Sequence, residues 1–196
     1  MMLHNTIYLG LISDIHGDIF SLEKALHLFE KQGVEKILCM GDLVEKGNEG
    51  NKVIQAIQEN CIPCVQGNHD ILAVFNQKDI IEGEEILTQD SQEYLKKLPF
   101  SLYYVWDNIR IRMVHGSPKT CVQYLAHDTS LRQMREAAID SDAEILLAGH
   151  THEPMHAVHC GVDFFNPGSV CGVNTRDSHT CATLLLPQKK WQVFEL

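Results

Sequence analysis

The sequence predicts an α/β fold in which two β-sheets pack face to face with helices on the outside. Two features of the chain predict it. The first half alternates short β-branched apolar runs with amphipathic helical stretches, and the second half is dominated by short runs joined by turns. A single parallel sheet accounts for the first half but not for the hairpins of the second. A third feature locates the chemistry: five apolar runs end in clusters of polar side chains, most with a glycine alongside. In layered α/β proteins ligands bind beyond the carboxyl ends of strands.

Taken in order, Thr6–Ile12 reads as a buried strand ending at Ser13-Asp14-Ile15-His16-Gly17-Asp18. Asp18 or Ser21 caps a helix running to about Lys31, with Leu22, Ala25, Leu26 and Phe29 on one face and Gly33 as its stop. Glu35–Met40 is a second strand, ending at Gly41-Asp42, and Val53, Ile54 and Ile57 mark a second amphipathic helix. Cys61–Val65 is predicted as a third strand that delivers Gly67-Asn68-His69-Asp70, with a helix from about Asp70 to Asn76. Residues 79–97 are polar and read as a loop plus a helix around Ser91–Lys97, closed by Pro99. Leu102–Trp106 and Ile109–Val114 flank the hairpin signal Asp107-Asn108, and the second ends at His115. Thr129 or Ser130 caps a helix to Ala138, and Ile145–Ala148 leads to Gly149-His150-Thr151-His152. Short strands follow at Met155–His159, Val162–Phe165, Cys181–Leu186 and Trp191–Leu196, interrupted by Asn166-Pro167-Gly168-Ser169.

A chain of 196 residues with no repeat or linker is read as one domain, residues 1–196. Its formal charge of −10 argues against non-specific binding to nucleic acid or to an anionic membrane. An anionic substrate stays compatible, because bound divalent cations reverse the local potential. Seven cysteines at irregular spacing, without a secretory signal, point to a reducing cytoplasm. No run approaches the roughly 18 apolar residues of a membrane helix.

The strand-end groups are Asp14 and His16, Asp42, Asn68 with His69, His115, and His150 with His152. Gathered in one place they would set carboxylate against carboxylate and desolvate several imidazoles, unless a cation offset the cost. The donors exceed what one ion uses, so two ions sharing a carboxylate fit better. Mixed nitrogen and oxygen donors suit Mn²⁺ first, with Fe, Zn²⁺, Co²⁺ or Ni²⁺ as alternatives. Two such ions roughly 3.5–4 Å apart hold a hydroxide and clamp a phosphoryl group during in-line displacement. His69 is then the surplus imidazole, free to protonate the leaving oxygen, with Asp70 placed to orient it.

Asp14-x-His16, Gly41-Asp42, Gly67-Asn68-His69-Asp70, His115 and Gly149-His150-Thr151-His152 together resemble the calcineurin-like metallophosphoesterase superfamily. The stretch Asn166–Val170 resembles the ending of its small single-domain bacterial and archaeal phosphodiesterases. The resemblance implies a four-layer α/β/β/α sandwich of two mixed sheets with a dimetal site at the strand ends. It implies that Asp14, His16, Asp42 and His152 hold the first metal, that Asp42 bridges, and that Asn68, His115 and His150 complete the second site. It implies His69 as general acid and Asp70 as its orienting partner. The implied activity is hydrolysis of a small phosphorylated substrate, phosphodiesters ahead of phosphomonoesters, with dinucleoside polyphosphates also within the class.

The chain departs from the phosphoprotein phosphatases of that superfamily, which usually carry Asp-Arg-Gly where this chain has Glu45-Lys46-Gly47, and Glu where it has Asp70. Lys46 and Arg176 are the candidate phosphate contacts. A non-catalytic scaffold is the alternative from another class, since one retromer subunit resembles the superfamily in fold but lacks the motif histidine. A nuclease would need a basic groove. The partners expected are a small phosphorylated substrate, no nucleic acid, no membrane, and a homo-oligomer only by default.

Overall fold

The computed structural model describes residues 6–75, 85–172 and 177–196. Strand β1 (Ile7–Ile12) is buried on both faces, as its unbroken apolar sequence requires of a central strand. It pairs in parallel with β2 (Lys36–Cys39) through helix α1 (Ile19–Gln32). Asp18 caps α1 by accepting the Ser21 amide, and Gly33 ends it at φ 72°. Helix α2 (Gly50–Glu59) has no side-chain cap of its own; the Glu85 carboxylate reaches across to accept the amides of Gly50 and Asn51. Helix α3 (Asn68–Phe75) and α4 (Gln89–Lys97) follow, the latter capped by Thr88.

The hairpin of β3 (Ser101–Trp106) and β4 (Ile109–Val114) turns at Asp107 and Asn108, both at positive φ. Helix α5 (Leu131–Ser141) is capped by Ser130 and leads to β5 (Ile145–Leu147). The chain closes with β6 (Pro154–His159), β7 (Val162–Pro167), β8 (Thr180–Leu186) and β9 (Lys190–Glu195).

One sheet has the order β2-β1-β8-β9 and the other β3-β4-β5-β7-β6. Both mix parallel and antiparallel pairs. Leu9, Leu11 and Leu38 of the first sheet, with Met40 just past β2, meet Ile111, Met113, Ile145 and Leu147 of the second in a shared core. The outer face of the first sheet is covered by α1, α2 and α4 through residues such as Phe29, Ile54 and Leu95. Helix α5 covers the second through Met134, Ala137 and Ala138. The layers therefore run α/β/β/α, the fold class expected.

The predicted strand at Cys61–Val65 forms only a single bridge, Cys64 to Cys39. Pro63 has no amide to donate, so the ladder stops at Cys39 N–H to Pro63 O and Val65 N–H to Cys39 O. The segment still runs alongside β2 and delivers Asn68 to the same end of the sheet. Within residues 79–97, positions 79–84 lie outside the described residues. The remainder is structural: Gln66 donates to the Leu95 carbonyl, and Leu95 is fully buried. No helix among the described residues is long and apolar enough to cross a membrane.

Candidate metal centre and active site

The loops after β1 and β2 are zipped together. Asp14 donates its amide to Gly41 O at 2.9 Å, Ile15 and His16 donate to Asp42 O at 2.9 and 3.0 Å, and Gly17 donates to Leu43 O at 2.8 Å. Asp14, His16, Asp42, His150 and His152 all sit at positive φ, between 50° and 69°. Non-glycine residues rarely hold that conformation, and their gathering at one end of both sheets marks a site held in place by its surroundings. The turns admit it because two glycines stand where side chains cannot. A Cβ at Gly67 would lie 2.0 Å from Asp42 Oδ1, and one at Gly149 would lie 2.0 Å from Ser13 Oγ.

The structure brings together all seven side chains expected as ligands. Asp14, His16 and His152 form one group whose donor atoms lie within 4.8 Å of one another, and Asp42, His115 and His150 form a second. His152 Nε2 is 3.1 Å from Asp14 Oδ1 and 3.2 Å from His16 Nε2. His115 Nε2 is 3.2 Å from Asp42 Oδ2 and 3.1 Å from Asn68 Oδ1. Asp42 also stands 3.9 Å from His16, so it lies between the two groups.

Asp14 Oδ1, Asp42 Oδ2 and His150 Nε2 are buried and make no well-aligned hydrogen bond among the described residues; the groups nearest the two oxygens are the neighbouring imidazoles of His152 and His115, at 3.1 and 3.2 Å. Orphaned buried polar atoms cost stability unless something satisfies them. The electrostatics point the same way. Burial opposes a charge on His115, yet Asp42 and Asp14 lift the imidazole to about 10. Burial would raise the Asp14 carboxyl, but the imidazole of His152 beside it, with those of His115 and His16, holds it below the usual carboxylate range. The His16 ring, desolvated, falls to about 4 and stands neutral, as a ligand must. Two buried carboxylates thus draw positive charge into the pocket, held here by the His115 imidazolium, while His16 offers a neutral nitrogen; this carboxylate and imidazole set fits divalent cations.

Outer groups hold the donors in aim. His16 Nδ1 faces Val44 O at 3.2 Å, and His115 Nδ1 faces Met40 O at 2.6 Å. His152 Nδ1 is bonded to Asp177 at 2.5 Å, a carboxylate–imidazole support of the kind that orients metal ligands. Asp177 carries no signal in the sequence, since it lies 25 residues from its partner in a turn without periodicity. Asn166 donates to Gly149 O at 2.7 Å, and Ser169 Oγ donates to Asp14 O at 2.8 Å. The Asn-Pro-Gly-Ser segment is therefore a prop for the loops of His150 and Asp14, with Asn166 and Pro167 ending β7 rather than interrupting the strands.

His69 meets His16 edge-on, with ring centroids 4.9 Å apart. Its expected partner was Asp70, and the structure corrects that pairing. The Asp70 oxygens accept the amides of Asp42 (2.9 Å), Leu43 (2.8 Å) and Gly67 (2.9 Å), because the first turn of α3 points this side chain into the protein, where it is fully buried. His69 Nδ1 instead meets Glu45 Oε2 at 2.5 Å, and this bond is the main cause that raises the imidazole pKa. In the sequence Glu45 stands out only within Glu45-Lys46-Gly47, and nothing there pairs it with His69.

Lys46 Nζ sits 3.0 Å from His16 Nε2, at the site. Arg176 lies outside the described residues. His127 and Asp128 are exposed on the β4–α5 loop. Cys61 is exposed and Cys64 buried, and all seven cysteines are free.

The model of the calcineurin-like phosphoesterase superfamily domain matches residues 7–189. An uncharacterized protein of Methanocaldococcus jannaschii is 26% identical over 164 residues, covering 75% of this chain; the chain spans 63% of that relative's length. Phosphodiesterase MJ0936 of the same organism is 26% identical over 174 residues, covering 85% of this chain and 86% of its own. Among solved structures, a metallophosphoesterase from Sphaerobacter thermophilus superimposes with a TM-score of 0.76 at 22% identity, over 97% of this chain and 88% of the other.

Proposed function

Because the chain belongs to the calcineurin-like phosphoesterase superfamily, we propose that it hydrolyses a small phosphodiester by in-line displacement at a pair of divalent cations. The observation that carries the reading is the convergence of two largely buried donor groups, Asp14 with His16 and His152 and Asp42 with His115 and His150, with a further imidazole held beside them by its own carboxylate. Asp14, His16 and His152 would hold one cation, Asn68, His115 and His150 the other, and Asp42 both. The donor set favours Mn²⁺, with Fe, Zn²⁺, Co²⁺ or Ni²⁺ as alternatives. Bound there, divalent cations supply charge neutralisation for phosphoryl oxygens and lower the pKa of water.

The chain's own groups do the rest. Glu45 accepts the Nδ1–H of His69, which fixes the tautomer and leaves Nε2 as the nitrogen that delivers a proton to the leaving oxygen. Lys46 meets a phosphoryl oxygen as a point charge, without the bidentate fork of an arginine. Asp70 acts as a positioning residue, tying the amides of Asp42 and Leu43 to Gly67 so that the bridging carboxylate and the Asn68 turn move as one piece. Diester rather than monoester chemistry is favoured by the phosphodiesterase relative that aligns over most of both chains. The seven free cysteines are in keeping with a reducing cytoplasm.

Hydrolysis of bis(p-nitrophenyl) phosphate by the Mn²⁺-loaded protein tests the activity, and a dialkyl phosphodiester, whose leaving alkoxide needs a proton, tests His69→Ala. The variant should keep its metal and lose turnover by about 10²–10⁴-fold. Full activity in His69→Ala removes the assigned role, and absence of bound divalent metal under reconstituting conditions removes the mechanism.

A further inference from the structure

One aromatic side chain connects the buried donors to solvent and has no role in the chemistry above. The ring of Tyr124 lies flat on the ring of His150, with centroids 4.1 Å apart and planes 21° from parallel. His150 in turn meets His115 edge-on at 5.0 Å. Tyr124 is 59% exposed, so His150 covers one face of the phenol and the other is open.

The loop fixes that orientation. Leu125, the next residue, is 1% exposed and packs into the core under α5, which turns Tyr124 outward. The loop is clamped on both sides, by Ser117 N–H to Thr120 O at 2.8 Å and by Ala126 N–H to Thr129 Oγ1 at 2.8 Å. A large aromatic ring is thus held on the rim with one face unused.

The two ends of the site differ. His69 groups with His16 and Asp42, whereas His150 groups with Asp42 and His115. The proton donor and Tyr124 therefore flank the shared carboxylate from different groups. In an in-line displacement the leaving oxygen is the one at His69, so the ester arm that stays on phosphorus extends elsewhere. We propose that Tyr124 is a specificity-determining residue whose open face stacks a planar aromatic group, a nucleobase or an aryl ring, on the retained arm of the diester. The proposal rests on the phosphodiesterase reading. Ring-on-ring stacking contributes selectivity without reading base edges, so any planar ring is accepted.

The experiment measures kcat/KM for three p-nitrophenyl esters that differ only in the retained arm: thymidine 5′-phosphate, phenyl phosphate and methyl phosphate. Wild-type protein should prefer the two ring-bearing arms. Tyr124→Leu, which keeps apolar cover over His150, should lose about 5- to 20-fold on those two and stay unchanged on the methyl ester. Tyr124→Phe and Tyr124→Trp should restore the preference, with equal metal content in all variants. A loss of the same size on the methyl ester would make Tyr124 a support for His150 and overturn the proposal, as would no loss on any ester. Preference for thymidine over phenyl, removed by Tyr124→Leu, would identify a nucleobase as the ring. A second readout needs no turnover: thymidine 5′-phosphate should saturably quench the added fluorescence of Tyr124→Trp, and an unchanged spectrum counts against stacking. If the wild type hydrolyses none of the three esters, the phosphodiesterase reading fails, and the fluorescence titration alone decides the role of Tyr124.

Discussion

Substituting Gly67 by alanine adds one methyl group and tests the geometry of the whole site. Its Cβ would lie 2.0 Å from Asp42 Oδ1 and 2.5 Å from the Asp42 backbone nitrogen, where ordinary contact begins at 3.4 Å. The carboxylate oxygen cannot swing clear without cost, because it accepts the His69 amide at 2.9 Å. The nitrogen cannot yield alone either, since it is tied to Asp70 Oδ2 at 2.9 Å. Asp42 must therefore move on the order of 1 Å, at an overpacking cost of about 1–3 kcal/mol. For a chain of this length that corresponds to a fall in Tm of about 3–10 °C. Asp42 stands between both donor groups, so divalent-metal affinity should fall by about 100-fold or more, beyond the effect of losing an outer support. Calorimetric titration with Mn²⁺, metal analysis after dialysis and circular dichroism read the two effects separately. Gly33→Ala is the control: its φ of 72° strains an alanine, but open space surrounds it, so stability falls and metal affinity does not. A folded Gly67→Ala protein with unchanged affinity and stoichiometry would refute the assignment of Asp42 as the shared ligand.

Glu45→Gln should reduce kcat several-fold while leaving KM and metal content near wild type; an unchanged kcat would show that the 2.5 Å contact to His69 plays no part in turnover. Leu147→Ala, at a fully buried position between the sheets, should cost about 2–5 kcal/mol in chemical denaturation, and a cost under about 1 kcal/mol would contradict the two-sheet core. Asp163 accepts Lys189 Nζ at 2.6 Å and His156 Nε2 at 2.9 Å; burial opposes ionisation, but these partners lower its pKa. A depressed carboxylate stabilises the fold above its unfolded pKa and loses that contribution as pH falls through the folded value. Stability should thus drop on acidification below about pH 4, and Asp163→Asn should flatten that limb in denaturation curves taken across pH. Added Mn²⁺ should raise Tm and chelation should lower it, with about 2.7 kcal/mol gained at a free concentration 100 times Kd; a Tm indifferent to both would argue against a resident cation.

The layering and the convergence of polar groups were legible in the sequence for a local reason. Each of Asp14, Asp42, His115 and His150 follows an apolar run at once or after a single serine or glycine, and the carboxyl ends of neighbouring strands lie together once the sheets form. Caps at Asp18 and Ser130 and the turn at Asp107-Asn108 are likewise set by residues a few positions apart. The failed strand at Cys61–Val65 shows the limit of local reading, since apolar content says nothing of whether an amide is available to extend a ladder past Pro63.

What only the tertiary structure decided is which groups support the polar centre. Asp70 lies next to His69 in sequence, yet its oxygens bind the amides of a loop 28 residues earlier, and His69 takes Glu45, 24 residues away. His152 takes Asp177, and His150 takes the face of Tyr124. These partners sit in loops whose φ angles and crossings follow no period, so chain spacing carries no record of them. The sequence determined which atoms meet at the strand ends, because strand ends are local. The packing of loop against loop decided how each of those atoms is aimed.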